Sequence, residues 1–456
     1  MEKNEKNEKH EQFLKKYSGI MDTHNRIPLD LYERYNVKRG LRNPDGTGVL
    51  VGLTEIGDVH GYIMEEGDKV PVKGVLRYRG IDVKDLTKGF QKEKRFGFEE
   101  TIFLLLFGYL PSIEELSNFK ERIGEYRELP DQFTEDMILK APSNNIMNKL
   151  ARSVLAAYSF DNDAEDTSVW NMLRQSVELI AQLPTMAAYA YQAKAHYYMG
   201  ESLFIHKPDP TLSTAENLLQ MIRPNKAYKA IEAEILDLSL VLHAEHGGGN
   251  NSAFSTHVVS SSGTDTYSAI ATAIGSLKGP LHGGANIQVA RMMDNIKEHV
   301  KDWNSEKEIA DYISKILMKD AFDKKGLIYG MGHAVYTLSD PRAEVLKEKA
   351  RELAETSDRM EEYFLYEKVE RLTPGIFQKL KNTNKPLCAN VDFFSGFVYS
   401  ILNIPEDLYT PIFAIARIPG WCAHRVEEMV SGGRIIRPAY KSVSPRLAYT
   451  SLENRD

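Results

Sequence analysis

Five stretches of the sequence set titratable side chains beside glycines or at helix ends, where such groups can do chemistry. The first is Leu242-His243-Ala244-Glu245-His246, followed by Gly247-Gly248-Gly249-Asn250-Asn251. Histidines three residues apart share a helix face. The glycine run ends such a helix and bares its backbone, and the dipole at that end favours a protonated imidazole. His243, Glu245 and His246 can ligate zinc, at a spacing one short of H-x-x-E-H. They can equally cap and pack a helix end.

In Gly279-Pro280-Leu281-His282-Gly283-Gly284-Ala285-Asn286, the small residues around His282 let backbone approach a ligand closely; a turn with an incidental histidine has the same pattern. Gly326-Leu327-Ile328-Tyr329-Gly330-Met331-Gly332-His333 is a glycine-spaced loop able to wrap a phosphate through backbone N–H groups. Asp340-Pro341-Arg342 then puts Asp at the N-cap and Pro at the first helical position. Arg342 falls in the first turn, where dipole and side chain both favour an anion. The plainer alternative is a flexible loop and a surface arginine.

Asn390-Val391-Asp392-Phe393-Phe394-Ser395-Gly396 leads into an apolar run. Asp392 reads locally as an N-cap. Beside two phenylalanines it can instead carry a raised pKa and serve as a base near neutral pH. Arg417, Arg434 and Arg437 close the set. Arginine forks match carboxylates in pairs, although scattered surface arginines are common.

The elements that must position these groups are mostly helical. From Gly48 to Gly80, β-branched residues broken by glycine predict a few short strands and hairpins. Beyond Asp82 the helical period dominates. Ser112 and Glu115 stand at capping-box spacing, and Ile231, Ile235, Leu238 and Leu242 form one core-directed face. Residues 1 to about 12 are charged and of low complexity, and mobility is expected there. The fold class read from this is mainly α with a small β patch near the start.

Bulk properties narrow the function. A chain of 456 residues exceeds one hydrophobic core, so two or three domains are expected. A net charge of -7 argues against a broad nucleic-acid face, so an anionic ligand must meet a local cluster of cations. With two cysteines, Cys388 and Cys422, a reducing compartment is expected. The most apolar run, Ile102 to Leu110, is about half a membrane span. The segment MEKNEKNEKHEQFLKK has no apolar core and is too acidic for a transit peptide. A cytoplasmic location is therefore expected, with no membrane partner.

In this order, from about Gly80 to Tyr440, the motifs resemble the citrate synthase family. GPLHGGAN, G-x-G-H-x-V followed by D-P-R, and NVDFFSG carry the resemblance. It implies a mostly helical, two-domain homodimer condensing acetyl-CoA with oxaloacetate. It implies an N-terminal extension of 1–40, a large domain of 40–282 plus 396–456, and a small closing domain of 283–395. By motif match, Asp392 and His282 act on the thioester and His333 on the ketone. His246, Arg342 and Arg417 match oxaloacetate ligands, and Arg437 matches an arginine brought across the dimer interface. Gly326, Leu327, Gly330 and Gly332 would line the CoA, with Lys381 and Lys385 as phosphate partners. Acetyl-CoA is then a substrate, and neither cofactor nor metal is implied. Met331 in the glycine loop and Gly247 after His246 depart from the family's usual residues.

Four rivals stand beside that reading. One is 2-methylcitrate synthase, using propionyl-CoA, and another is a lyase running backwards from citryl-CoA. The others are a metal-dependent hydrolase built on His243, Glu245 and His246, and a helical scaffold without activity.

Overall fold

The computed structural model describes the backbone of residues 2–455 and the side chains of residues 7–455. It divides into two compact units, Met1–Gly52 and Leu53–Asp456. The first holds helices α1 (Glu2–His24) and α2 (Leu29–Arg34). From Glu2 on, the charged start is helical, its Glu and Lys residues being good helix formers.

The second unit opens on a hairpin of β1 (Gly57–Glu65) and β2 (Asp68–Tyr78), with the short β3 (Ile81–Asp82) on the far side of β2. Two of the three strands, β1 and β2, are longer than the glycine spacing predicts. Glu66 and Gly67 both take positive φ, as a two-residue hairpin turn requires. Gly61 and Gly74 let the sheet lie flush on the segment 335–339: a side chain at Gly74 would collide with the Ser339 carbonyl. Ser339 Oγ also accepts the Gly74 N–H at 3.2 Å. The sheet therefore braces the chain that follows His333.

The rest of this unit is helical. After α3 (Val83–Lys92), α4 (Phe98–Phe107) and α5 (Ile113–Glu125) come α6 (Ile146–Ala157), α7 (Val169–Met199) and α8 (Thr214–Ile222). Next are α9 (Ala230–His243), α10 (Asn251–Ser260), α11 (Thr266–Leu277), α12 (Ala285–His299) and α13 (Glu306–Leu317). The last are α14 (Pro341–Glu355), α15 (Met360–Lys381), α16 (Val391–Ile401) and α17 (Tyr409–Val430). The Ser112–Glu115 capping box forms at α5, and Asp340 caps α14 with Pro341 at its start. Ile235, Leu238 and Leu242 are buried along α9.

Helix α17 is the hub. Every residue from Tyr409 to Arg425 is buried, and it packs on α4, α7, α9, α10 and α11. A helix covered all round normally carries only apolar side chains, so its buried Arg417, His424 and Arg425 must find partners. No helix among the described residues is long and apolar enough to cross a membrane.

Candidate functional site

Helix α9 stops at His243, short of the glycine run. Tyr78 Oη donates to the Val241 carbonyl at 2.9 Å, satisfying one of the helix's last acceptors. Arg417 Nε donates to the His243 carbonyl at 2.6 Å. Glu245 then folds its carboxylate onto the Gly247 N–H, and Gly247 takes φ +78. His246 therefore lies beyond the helix, and the shared helical face expected for His243 and His246 does not form.

The two imidazoles are neutral. His243 Nδ1 faces the Ser239 carbonyl at 2.8 Å, so it carries the proton, and Nε2 is buried without a partner. Burial, with Arg342 and Arg417 nearby, pushes His243 down to about 3. His246 is pushed well below its ordinary value by burial and then by Arg342, His333, Arg417 and His282. Its ring meets His333 edge-on at 4.9 Å, and its Nε2 is buried without a partner.

His333 is held by its own loop. Val335 and Tyr336 both donate their backbone N–H groups to its Nδ1, at 3.0 and 3.1 Å. An acceptor at Nδ1 puts the proton on Nε2. The loop itself is laced to the strand-like segment before α16. Gly332 N–H donates to the Cys388 carbonyl at 2.7 Å, and Asn390 N–H donates to the Gly330 carbonyl at 2.8 Å. Asn390 Nδ2 adds a bond to the Gly332 carbonyl at 2.8 Å.

Asn390 is also the N-cap of α16, accepting the Asp392 N–H at 3.0 Å. The local reading of Asp392 as the cap is corrected: Asn390 reaches that position first, which leaves the Asp392 carboxylate in the first turn. Burial pushes this half-buried carboxyl up to about 6, with Arg342 opposing and Asp340 reinforcing the shift.

His282 sits between α11 and α12, with Nε2 3.0 Å from Ser252 Oγ. The same hydroxyl oxygen accepts Trp421 Nε1–H at 3.0 Å. Burial, then Arg417, pushes His282 down to about 4, so this ring too is neutral.

Two buried arginines supply the positive field. Arg342 forks onto Asp340, with Nε at 3.0 Å and Nη2 at 2.7 Å, so only part of its guanidinium is left for a ligand. Arg417 spends Nε on His243, and both Nη1 and Nη2 are buried without partners. Leaving such donors unmet costs about 1–3 kcal/mol each, a cost an incoming carboxylate removes.

The remaining expected residues lie elsewhere. Arg434, Arg437, Lys381 and Lys385 are exposed. Gly326, Gly330 and Gly332 take positive φ, and Leu327 is 52% exposed on the same loop. The metal reading of His243, Glu245 and His246 does not fit, because their ligand atoms do not gather within 4.8 Å of one another. Among the described residues, the one set of three ligand atoms within 4.8 Å of each other belongs to His257, His424 and Glu427.

Ser252, Trp421, His257 and His424 are part of the site's frame and carry no signal in the motifs above, and Asp340, expected as a helix cap, also holds the Arg342 guanidinium. One signal points to some of them: Arg417, Trp421, His424 and Glu428 follow a four-three-four spacing on one helix. The assembled arrangement offers two neutral imidazoles aimed by their partners, a carboxylate poised near neutral pH and unmet cationic donors. That combination suits proton abstraction next to a carbonyl, with capture of a small carboxylate substrate.

The chain matches the family model described as "Citrate synthase, C-terminal domain" over residues 44–439. It is 33% identical over 425 residues to a citrate synthase of Haloferax volcanii, covering 92% of this chain and 99% of that one. It is 34% identical over 419 residues to 2-methylcitrate synthase 1 of Corynebacterium glutamicum, covering 90% and 96%. It superposes with a TM-score of 0.74 and 25% identity on the Thermoplasma acidophilum citrate synthase solved with carboxymethyl coenzyme A and oxaloacetate, covering 92% and 99%.

Proposed function

The chain belongs to the citrate synthase family, and is a transferase-type enzyme; we propose that it condenses acetyl-CoA with oxaloacetate and hydrolyses the resulting citryl-CoA to citrate and CoA. The observation that carries this is the neutral pair His282 and His333 gathered with the raised carboxyl of Asp392 and the unmet Nη groups of Arg417.

The methyl of a thioester is a weak carbon acid, so its proton leaves only if a base and a donor to the forming enolate act together. Asp392 takes the proton. His282 donates Nδ1–H to the thioester oxygen, its Nε2 accepting the Ser252 hydroxyl; the Trp421 bond to Ser252 fixes that orientation. His333 donates Nε2–H to the oxaloacetate ketone. As the enolate carbon attacks, the new alkoxide takes that proton. Water then cleaves the thioester of citryl-CoA.

Arg417, Arg342 and His246 hold the two carboxylates, and fixing the ketone in register itself lowers the barrier. The Gly326–Gly332 loop, with Lys381 and Lys385, is assigned to CoA. Arg437 is assigned to the neighbouring protomer's site in a homodimer. Closure of residues 283–395 over 40–282 plus 396–456 would exclude water while the enolate exists.

A second reading, propionyl-CoA as donor, is favoured by the near-equal identity to a 2-methylcitrate synthase. One methylene is worth about 1–3 kcal/mol in an apolar pocket. Free thiol released from acetyl-CoA and from propionyl-CoA, each with oxaloacetate, decides between them. The higher kcat/KM names the donor, and no thiol from either removes the proposal.

A further inference from the structure

Helix α17 presents four polar side chains along one stripe, and each grips a different part of the site. Arg417 holds the His243 carbonyl, and Trp421 holds Ser252 behind His282. His424 Nε2 lies 3.0 Å from Glu245 Oε1, and Glu428 Oε2 lies 2.8 Å from His257 Nδ1. His257 Nε2 and His424 Nδ1 close the gap at 3.0 Å. The result is a continuous chain, Glu428–His257–His424–Glu245, ending on the Gly247 N–H.

The proton count along this chain requires one imidazolium, on either His257 or His424, to donate across the contact between the two rings. Both carboxylates only accept, so His257 donates from Nδ1 and His424 from Nε2. The environment selects His424: Glu245 and Glu427 push it up to about 9 against its burial, while burial and His424 push His257 down. His424 therefore donates from Nδ1 to the lone pair on His257 Nε2. With both His424 nitrogens acting as donors, neither offers a lone pair to a metal.

The inner end of the chain sits where the site is built. Glu245 is fully buried between His243 and His246, in a slot so narrow that a side chain at Gly420 would strike its carboxylate and the Ala244 carbonyl. The glycine turn lies over the histidine pair: a Cβ on Gly248 would stand 3.4 Å from His257 Nε2 and 3.5 Å from His424 Cε1. Neither histidine is assigned to the reacting groups, yet the turn that carries His246 is anchored on them.

We propose that His424 and His257 are positioning residues for the ketoacid site, the hydrogen-bonded chain Glu428–His257–His424–Glu245 fixing the turn that aims His246 at a substrate carboxylate. This rests on the reading of the chain as an oxaloacetate-using condensing enzyme. Loss of the chain lets the turn relax and weakens the ketoacid site, while the acyl-CoA site, on other loops, is left alone.

The test is steady-state kinetics and calorimetric oxaloacetate binding for the full chain, His424→Gln and Glu428→Gln, with thermal melting to confirm folding. In His424→Gln, KM and Kd for oxaloacetate rise about tenfold or more, KM for acetyl-CoA stays within about twofold, and kcat changes less than KM. Glu428→Gln, whose outer position spares the interior, moves the same constants in the same direction by about threefold. Folded variants with unchanged oxaloacetate KM and Kd overturn the positioning role. If His424→Gln does not fold, an unchanged Glu428→Gln overturns it alone. A parent chain that neither binds nor turns over oxaloacetate fails earlier and removes the function reading itself.

Discussion

The ring of His333 stacks on Tyr336 at 4.7 Å with the planes 23° apart, and the backbone N–H of the same Tyr336 donates to its Nδ1 at 3.1 Å. Tyr336 thereby orients the ring and, together with Val335, sets the tautomer that carries the proton on Nε2. His333→Gln, which loses that aimed donor and proton source, lowers kcat by about 10²–10⁴. Its KM for oxaloacetate shifts by no more than about threefold, because the carboxylate ligands remain. An unchanged kcat would remove His333 from the reacting centre.

Asp392 gives two linked outcomes. Its carboxyl titrates near 6, and the base must be ionised, so kcat/KM falls as pH drops through about 6. The raised value also means that the folded state disfavours the charge, so at pH above the ordinary carboxylate range this group weakens the fold. Asp392→Asn therefore loses turnover while its melting temperature at pH 7.5 rises. A variant that melts lower would contradict the half-buried, unpaired carboxylate.

Arg417 aims two unmet N–H donor groups into the site. Lysine keeps the charge but cannot hold the His243 carbonyl and a carboxylate together. Arg417→Lys raises the oxaloacetate KM by roughly 30- to 150-fold, the equivalent of about 2–3 kcal/mol. A change below about threefold would place the substrate carboxylate elsewhere.

His424 makes stability depend on alkaline pH. It faces Glu245 from the turn after α9, Glu427 on its own helix and His257 on α10, with Glu428 beyond. Against its burial, Glu245 and Glu427 push it up from 6.5 to about 9. A raised histidine contributes in full below its unfolded value and loses that contribution as pH rises through its folded value. The melting temperature of the parent falls between pH 8 and about 10, and His424→Gln lacks that part of the decline. Parallel melting curves for the two proteins would contradict it.

Much of the site was legible because its groups sit in short, unusual strings. His246, His282, His333 and Asp392 are each flanked by small residues, caps or glycine turns that no ordinary core helix needs. In the structure Arg417 acts on His246, His282 and Asp392 alike, and Arg342 on His246 and Asp392. The frame behind them was not legible. Ser252 to Trp421, Glu245 to His424 and His257 to Glu428 pair residues more than 160 positions apart. Each looks alone like an ordinary polar residue on an apolar helix. The end of α9 was misplaced for the same reason: Arg417, from a distant helix, takes the carbonyl that the next turn would have used. The strand lengths depended on packing against residues 335–339, which local spacing does not encode.

The most direct test is oxaloacetate-dependent release of CoA thiol from acetyl-CoA, measured side by side for the parent chain and Asp392→Asn. The account predicts thiol from the parent only when both substrates are present, and at least about 100-fold less from the folded variant. Equal rates from the two proteins, or release that ignores oxaloacetate, would contradict Asp392 as the base and condensation as the reaction.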